Sequence, residues 1–176
     1  MKKIIEFVKN ARLLGIVNDS EFRYKNKRKW DFDVFTQGWR YHMSNVMAAI
    51  GIEQLKKFDS FKFKRQQLAI RYIYHLSSIK EIGLIDTDYS LVAPHIFVIK
   101  INEFKRDIIK MKLEAEGIQT GIHYRPNHLL TFYKSNSLPV TEKIYCQILT
   151  LPLHPDLEIT DVDFICNKLI QLLNEE

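Results

Sequence analysis

The apolar positions change period several times along the chain, and each change marks an element. Ile4, Ile5, Val8, Leu13 and Leu14 fall on one helical face, and Gly15 follows where a glycine would close a helix. Residues 17–41 keep no period. They are polar, basic and aromatic, and are expected to form a long excursion of the kind that carries function. Ser44 is a suitable N-cap, and from it Val46, Ala49, Ile50, Leu55, Phe58, Phe61, Leu68, Tyr72 and Leu76 hold helical spacing towards Ile79. No proline interrupts this stretch and Gly51 is its one weak point, so the pattern predicts a long spine helix. Tyr72 and Tyr74 on that helix are expected at its core and surface faces.

Beyond residue 81 the spacing turns strand-like. Ile96–Ile101 is β-rich and follows Pro94; Arg106–Glu116 is helical and stops at Gly117; Ile118–Tyr124 alternates as a second strand. Short helices are expected at Leu129–Tyr133 and Thr141–Ile148, and a third strand at Leu149–Leu153. A last helix, capped by Thr160, carries Val162, Ile165, Cys166, Leu169, Ile170 and Leu173 on one face. Few, short strands interleaved with helices predict an α/β (α+β) fold: a two-layer sandwich of a small, mostly antiparallel sheet with helices, plus the spine helix.

Composition narrows the class. The 176 residues are 46% apolar and 27% charged, which fits a packed globular chain rather than a disordered one. No apolar run reaches the roughly 18 residues a membrane span requires, and Glu6, Lys9, Asn10 and Arg12 break up the signal-like start. Cys146 and Cys166 are expected as buried free thiols of a reducing compartment, which points to the cytoplasm. The net charge of +5 leaves an anionic partner open. Its visible cluster is Arg23, Lys25, Lys27, Arg28 and Lys29, which is either a solvated loop or an anion site. No zinc-finger spacing, RNP-like strand or glycine-rich phosphate loop accompanies it, so nucleic acid is not expected as a partner. His123, Tyr124 and His128 form a second cluster, without the cysteine or carboxylate that would complete a metal set in that stretch.

Five segments in order resemble one family. Gly38–Gly51, reading GWRYHMSNVMAAIG, with Glu53-Gln54-Leu55, is similar to the G-x-N-Y-R-M-[ST]-[DE]-x-Q-A-A-[IL]-G-x-x-Q-L run of the DegT/DnrJ/StrS sugar aminotransferases. Gly117–His128, GIQTGIHYRPNH, resembles G-I-x-T-x-x-H-Y-x-P-x-H. Leu138–Glu142 and Leu149–Pro155 resemble L-P-x-[AT]-E and L-S-L-P-[LM]-x-P, and Asp161-Val162-Asp163 matches the start of the family's last helix. Ala11–Gly15 and Trp30–Val34 are similar to the family's A-x-x-x-R-x-x-x-x-H-G and W-x-Y-D-V.

The resemblance implies a fold-type I enzyme that uses pyridoxal 5'-phosphate (PLP), held on a lysine of a large domain preceding the segment seen here. No lysine of this chain has that context, so no catalytic residue is carried over, and the chain by itself is expected to be inactive. Residues 1–43 would be the end of the large domain with an interface loop, and 44–176 the C-terminal small domain with its linking helix. The substrate implied is a nucleotide-linked keto-deoxysugar, with glutamate as amino donor, in bacterial polysaccharide or amino-sugar biosynthesis. By the resemblance, Arg40 and His42 are expected at positions that approach the cofactor phosphate across a homodimer interface, where the family often has Asn and Arg; the alternative is that they only line that interface. His123, Tyr124 and His128 are candidates for substrate binding, against ordinary packing. A competing expectation is a non-catalytic dimerisation or regulatory module derived from the same fold.

Overall fold

The computed structural model describes residues 2–17 and 33–175. The basic cluster Arg23–Lys29, together with Trp30 and Phe32, lies outside the described residues. The chain forms two compact units, Met1–Lys56 and Lys57–Glu176.

In the first unit, α1 spans Lys2–Ala11 and α2 spans Asn45–Lys56. Two glycines let the residues that follow α1 and those that precede α2 approach closely. Gly15 adopts φ +76°, and a Cβ there would stand 2.2 Å from the Thr36 carbonyl oxygen; one on Gly38 would stand 2.0 Å from the Gly15 nitrogen. This close crossing puts residues 39–41 beside 11–14, with Trp39 N donating to Ala11 O (2.7 Å), Leu14 N to Trp39 O (3.0 Å) and Tyr41 N to Arg12 O (2.8 Å). The expected face of α1 is present but uncovered: Ile4, Ile5, Val8 and Leu14 are exposed, and of the five predicted positions only Leu13 is buried. Ser44 caps α2 as expected, its Oγ accepting from Met47 N at 3.3 Å.

The predicted spine is helical from Asn45 to Leu76 with one interruption at Lys57, after which α3 (Phe58–Leu76) begins. Lys57 sits at φ −90° and ψ −6°, off the helical minimum, and its carbonyl accepts from Phe61 N at 3.0 Å to restart the ladder. Asp59 in the new first turn suits the positive end of the helix.

The second unit continues with β1 (Gly83–Leu84), β2 (Phe97–Lys100), α4 (Glu103–Ala115), two 3-10 turns (Asn127–Leu129 and Thr131–Tyr133), α5 (Pro139–Gln147), β3 (Ile148–Leu151) and α6 (Ile159–Asn174). The sheet order is β1-β2-β3, antiparallel throughout, with Phe97 opposite Leu151 and Ile99 opposite Leu149. Phe97 and Ile99 share the face that helices cover, as the period of two requires, and all four residues of β3 are buried. Leu68, Tyr72 and Leu76 of α3, Ile109 and Leu113 of α4, and Val162, Cys166 and Leu169 of α6 complete one core. Tyr72 is wholly buried, stacks on Phe97 with centroids 4.7 Å apart, and donates its hydroxyl to Pro152 O at 2.9 Å. Burial drives its pKa up. Tyr74 is exposed, as its side of the helix predicts.

Several expectations change in detail. Helix α4 starts at Glu103, because Asn102 supplies a cap by accepting from Phe104 N at 3.0 Å. Glu158 rather than Thr160 caps α6, through a reciprocal box with Asp161. The strand expected at Ile118–Tyr124 reduces to a single bridge, Gly121 with Thr150. Cys166 is buried and its thiol is pushed up to about 12, chiefly by burial. Cys146 is exposed instead of buried, because α5 lies on the surface and buries none of its residues. No helix among the described residues is long and apolar enough to cross a membrane.

Candidate functional site

In the second unit, the segment after α4 runs past the outer edge of β3 and opens a cavity of about 640 Å³. Thr150 makes this possible. Within the sheet it faces Val98, and it turns both backbone groups outward: its N–H donates to Gly121 O at 2.7 Å, and its C=O accepts from Gly121 N at 3.0 Å. Pinned there, the segment brings Thr120 and His123 to the cavity wall. His95, His154 and Asp161 add polar groups, while Leu157, Phe164 and Ile165 supply an apolar side.

His123 is held by its Nδ1, 3.0 Å from Thr150 Oγ1, and the edge of its ring lies over Gly121. Thr120 Oγ1 is buried without a partner among the described residues, an orphan that a bound polar group would satisfy. Tyr124 packs edge-on to His123, with centroids 4.8 Å apart, but is itself exposed and does not line the cavity. His128 is turned elsewhere. It is buried, and its Nε2 donates to Glu142 Oε1 at 3.0 Å; the same oxygen accepts from Leu138 N (2.8 Å) and Ser137 Oγ (2.9 Å). The Leu138 bond, then those from His128 and Ser137, hold the Glu142 carboxyl below its usual range. This knot fixes the loop that carries Leu129–Ser137.

Arg40 and His42 belong to the first unit. Trp39 and Tyr41 stack in parallel, 6.4 Å apart, so alternation along the extended segment sets Arg40 and His42 on the other side. Arg40 is exposed, its backbone bridging Leu13. His42 Nδ1 is buried with no partner among the described residues. A guanidinium and an imidazole just ahead of a helix N-terminus are groups of the kind that can donate to a phosphate.

The residues that sequence reasoning missed are Thr120, Gly121 and Thr150. Each sits inside a motif quoted above, but the alternating pattern spent them as strand positions. The signal available was the close spacing of two glycines, Gly117 and Gly121, around Thr120, which argues against a regular strand.

Residues 2–170 match the DegT/DnrJ/EryC1/StrS aminotransferase family. The chain belongs to that family. Among solved structures it is similar to the aminotransferase TlmJ from Streptoalloteichus hindustanus (TM-score 0.82, 26% identity, covering 99% of this chain and 46% of that one). It is also similar to a DegT DnrJ EryC1 StrS aminotransferase from Brucella abortus (TM-score 0.80, 26% identity, 97% and 44%). An uncharacterized protein of Methanocaldococcus jannaschii, MJ1066, is 29% identical over 187 residues, covering 99% of this chain and 48% of the relative. The chain therefore spans about half the length of the relatives it matches.

Proposed function

We propose that this chain supplies the substrate-facing small-domain part of a PLP-dependent aminotransferase acting on a nucleotide-linked keto-deoxysugar, with glutamate as amino donor. The observation that carries this reading is the cavity at the β3 edge, built from two segments that resemble family motifs and lined by Thr120, whose hydroxyl has no partner among the described residues. On this reading residues 1–43 close the large domain, and residues 44–176 form the small domain with its linking helix.

Within that frame each residue has a distinct task. Arg40 and His42 would hold the cofactor phosphate, and the His42 Nδ1, without a partner among the described residues, supports this fit. PLP, when bound, acts as an electron sink for moving the amino group. His123 and Thr120 present polar groups to the sugar, while Phe164 and Leu157 shield one wall from water. Tyr124 contributes an exposed ring at the rim, and His128 orders the neighbouring loop through Glu142. The exposed Trp39, Tyr41 and Met43 fit a homodimer in which the phosphate-binding segment faces the other copy's site.

The attachment lysine is not among the lysines of this chain. Incubating the full chain with PLP, reducing with borohydride and mapping adducts by mass spectrometry tests this. The expected result is scattered, substoichiometric labelling; a single lysine labelled to completion would overturn it.

A further inference from the structure

Thr150 has a constraint that fixes more than its own position. It is only 5% exposed, both its backbone groups are committed to Gly121, and its Oγ1 has one partner among the described residues, His123 Nδ1 at 3.0 Å. A hydroxyl carries one proton and two lone pairs, and a neutral imidazole carries one N–H and one bare nitrogen. Two arrangements satisfy the distance. If His123 held its proton on Nδ1, Thr150 would accept, and its own proton, on a residue only 5% exposed, would find no acceptor among the described residues. If Thr150 donates, its proton is used and only lone pairs go spare. An unmade buried donor costs more than an under-used acceptor, so the second arrangement wins.

The consequence falls on the other side of the ring. With Nδ1 accepting from Thr150, the neutral ring carries its proton on Nε2, which has no protein partner among the described residues, on a side chain that lines the cavity. Gly121 makes the seat. A Cβ there would stand 2.5 Å from His123 Cε1, 3.1 Å from Nδ1 and 3.4 Å from Nε2, so any side chain would push the ring off Thr150.

We propose that Thr150 and Gly121 are positioning residues that hold His123 as a neutral Nε2–H hydrogen-bond donor to the cavity, so that the cavity selects a ligand offering an acceptor oxygen. A sugar hydroxyl or carbonyl oxygen meets that requirement; a ligand presenting only N–H groups does not. That the ligand is the sugar substrate rests on the function proposed above; the tautomer and its cause do not.

Long-range proton–nitrogen NMR of the ¹⁵N-labelled full chain tests this, at about pH 8, where a free imidazole is neutral. His123→Gln identifies the His123 signals by their loss. In the unsubstituted chain His123 is expected with Nε2 protonated and Nδ1 bare. Thr150→Ser keeps that pattern, Thr150→Val gives a mixture of both tautomers, and Gly121→Ala does the same by displacing the ring. A proton on Nδ1 in the unsubstituted chain overturns the proposal, and so does a Thr150→Val spectrum with an unchanged ratio. Should Thr150→Val fail to fold, the unsubstituted chain and Thr150→Ser still decide. Added UDP-glucose is expected to shift the His123 Nε2 signal. If the tautomer is as stated and UDP-glucose leaves Nε2 unmoved, the substrate reading fails and the positioning stands.

Discussion

The two units of this chain are equally rich in apolar side chains and use them in opposite ways. In the second unit Leu68, Tyr72, Leu76, Ile99, Ile109, Leu113, Leu149, Val162 and Leu169 have essentially no exposed surface. In the first, α2 buries no residue: Val46, Met47, Ile50, Ile52 and Leu55 are each more than half exposed, and Ile4, Ile5 and Val8 of α1 are too. The difference teaches that amphipathicity and burial are separate facts. A helical stripe shows which face avoids water, but not whether the chain has anything to cover it with. Residues 57–175 carry their own cover, whereas residues 2–17 and 33–56 leave many large apolar side chains exposed, as side chains that meet a partner do.

The comparison breaks most visibly under truncation of the core. Leu169 is fully buried at the centre of α6, among residues of α3 and the sheet. Leu169→Ala removes that packing and leaves a cavity, and is expected to cost about 2–5 kcal/mol in urea unfolding of the full chain. A cost near zero would mean that the second unit is not packed as described. Native-state hydrogen exchange sharpens the same contrast: amides of α6 should exchange only through the major unfolding event, those of α2 through local opening.

This asymmetry also explains what the sequence made legible. The core of the second unit follows from periodicity, because a face that is apolar and has a partner in the same chain behaves as the pattern says. Phe97 and Ile99 turn inward, and Leu169 sits where the 3.6-residue repeat puts it. The site was half legible. His123 was found from its motif, but Thr150 reads as one more strand residue, since its importance lies in which edge of β3 its backbone faces. His128 looked like a ligand-binding histidine because its partner Glu142 is 14 residues away, in another element. Lys57 gave no signal at all: a lysine is a good helix former, and the break there is a matter of backbone angles rather than of side-chain type.

A smaller effect separates the charged clasp of α3 and α6 from the apolar core beneath it. Asp163 takes two bonds from Arg71, at Nε (2.6 Å) and Nη2 (2.9 Å), and its Oδ1 lies 2.7 Å from His75 Nε2. The Arg71 bond is the main cause that holds the carboxyl down to about 2, with His75 adding to it against some burial. A folded pKa below the unfolded one means that the clasp stabilises the fold at pH values above the ordinary carboxylate range, about 4. That contribution is lost as pH falls towards about 2. Asp163→Asn should therefore lower Tm at neutral pH, and the gap to the unsubstituted chain should close through this acid window. A gap that is independent of pH would show that the carboxylate charge is not what joins the helices.

The smallest effect on stability, and the most telling for the comparison, comes from the exposed helix. Leu55 is 72% exposed on α2, so Leu55→Ala forfeits little packing within one chain and should change unfolding stability by less than about 0.5 kcal/mol. If this surface meets a second copy, as the proposed homodimer requires, the same substitution removes contact area between chains. Its cost then appears as weaker self-association in sedimentation across a concentration series, while dilute-chain stability stays put. Leu169→Ala should do the reverse, lowering stability before it affects association. Should Leu55→Ala destabilise the dilute chain as much as Leu169→Ala does, the first unit has a cover of its own, and the contrast between the two units fails.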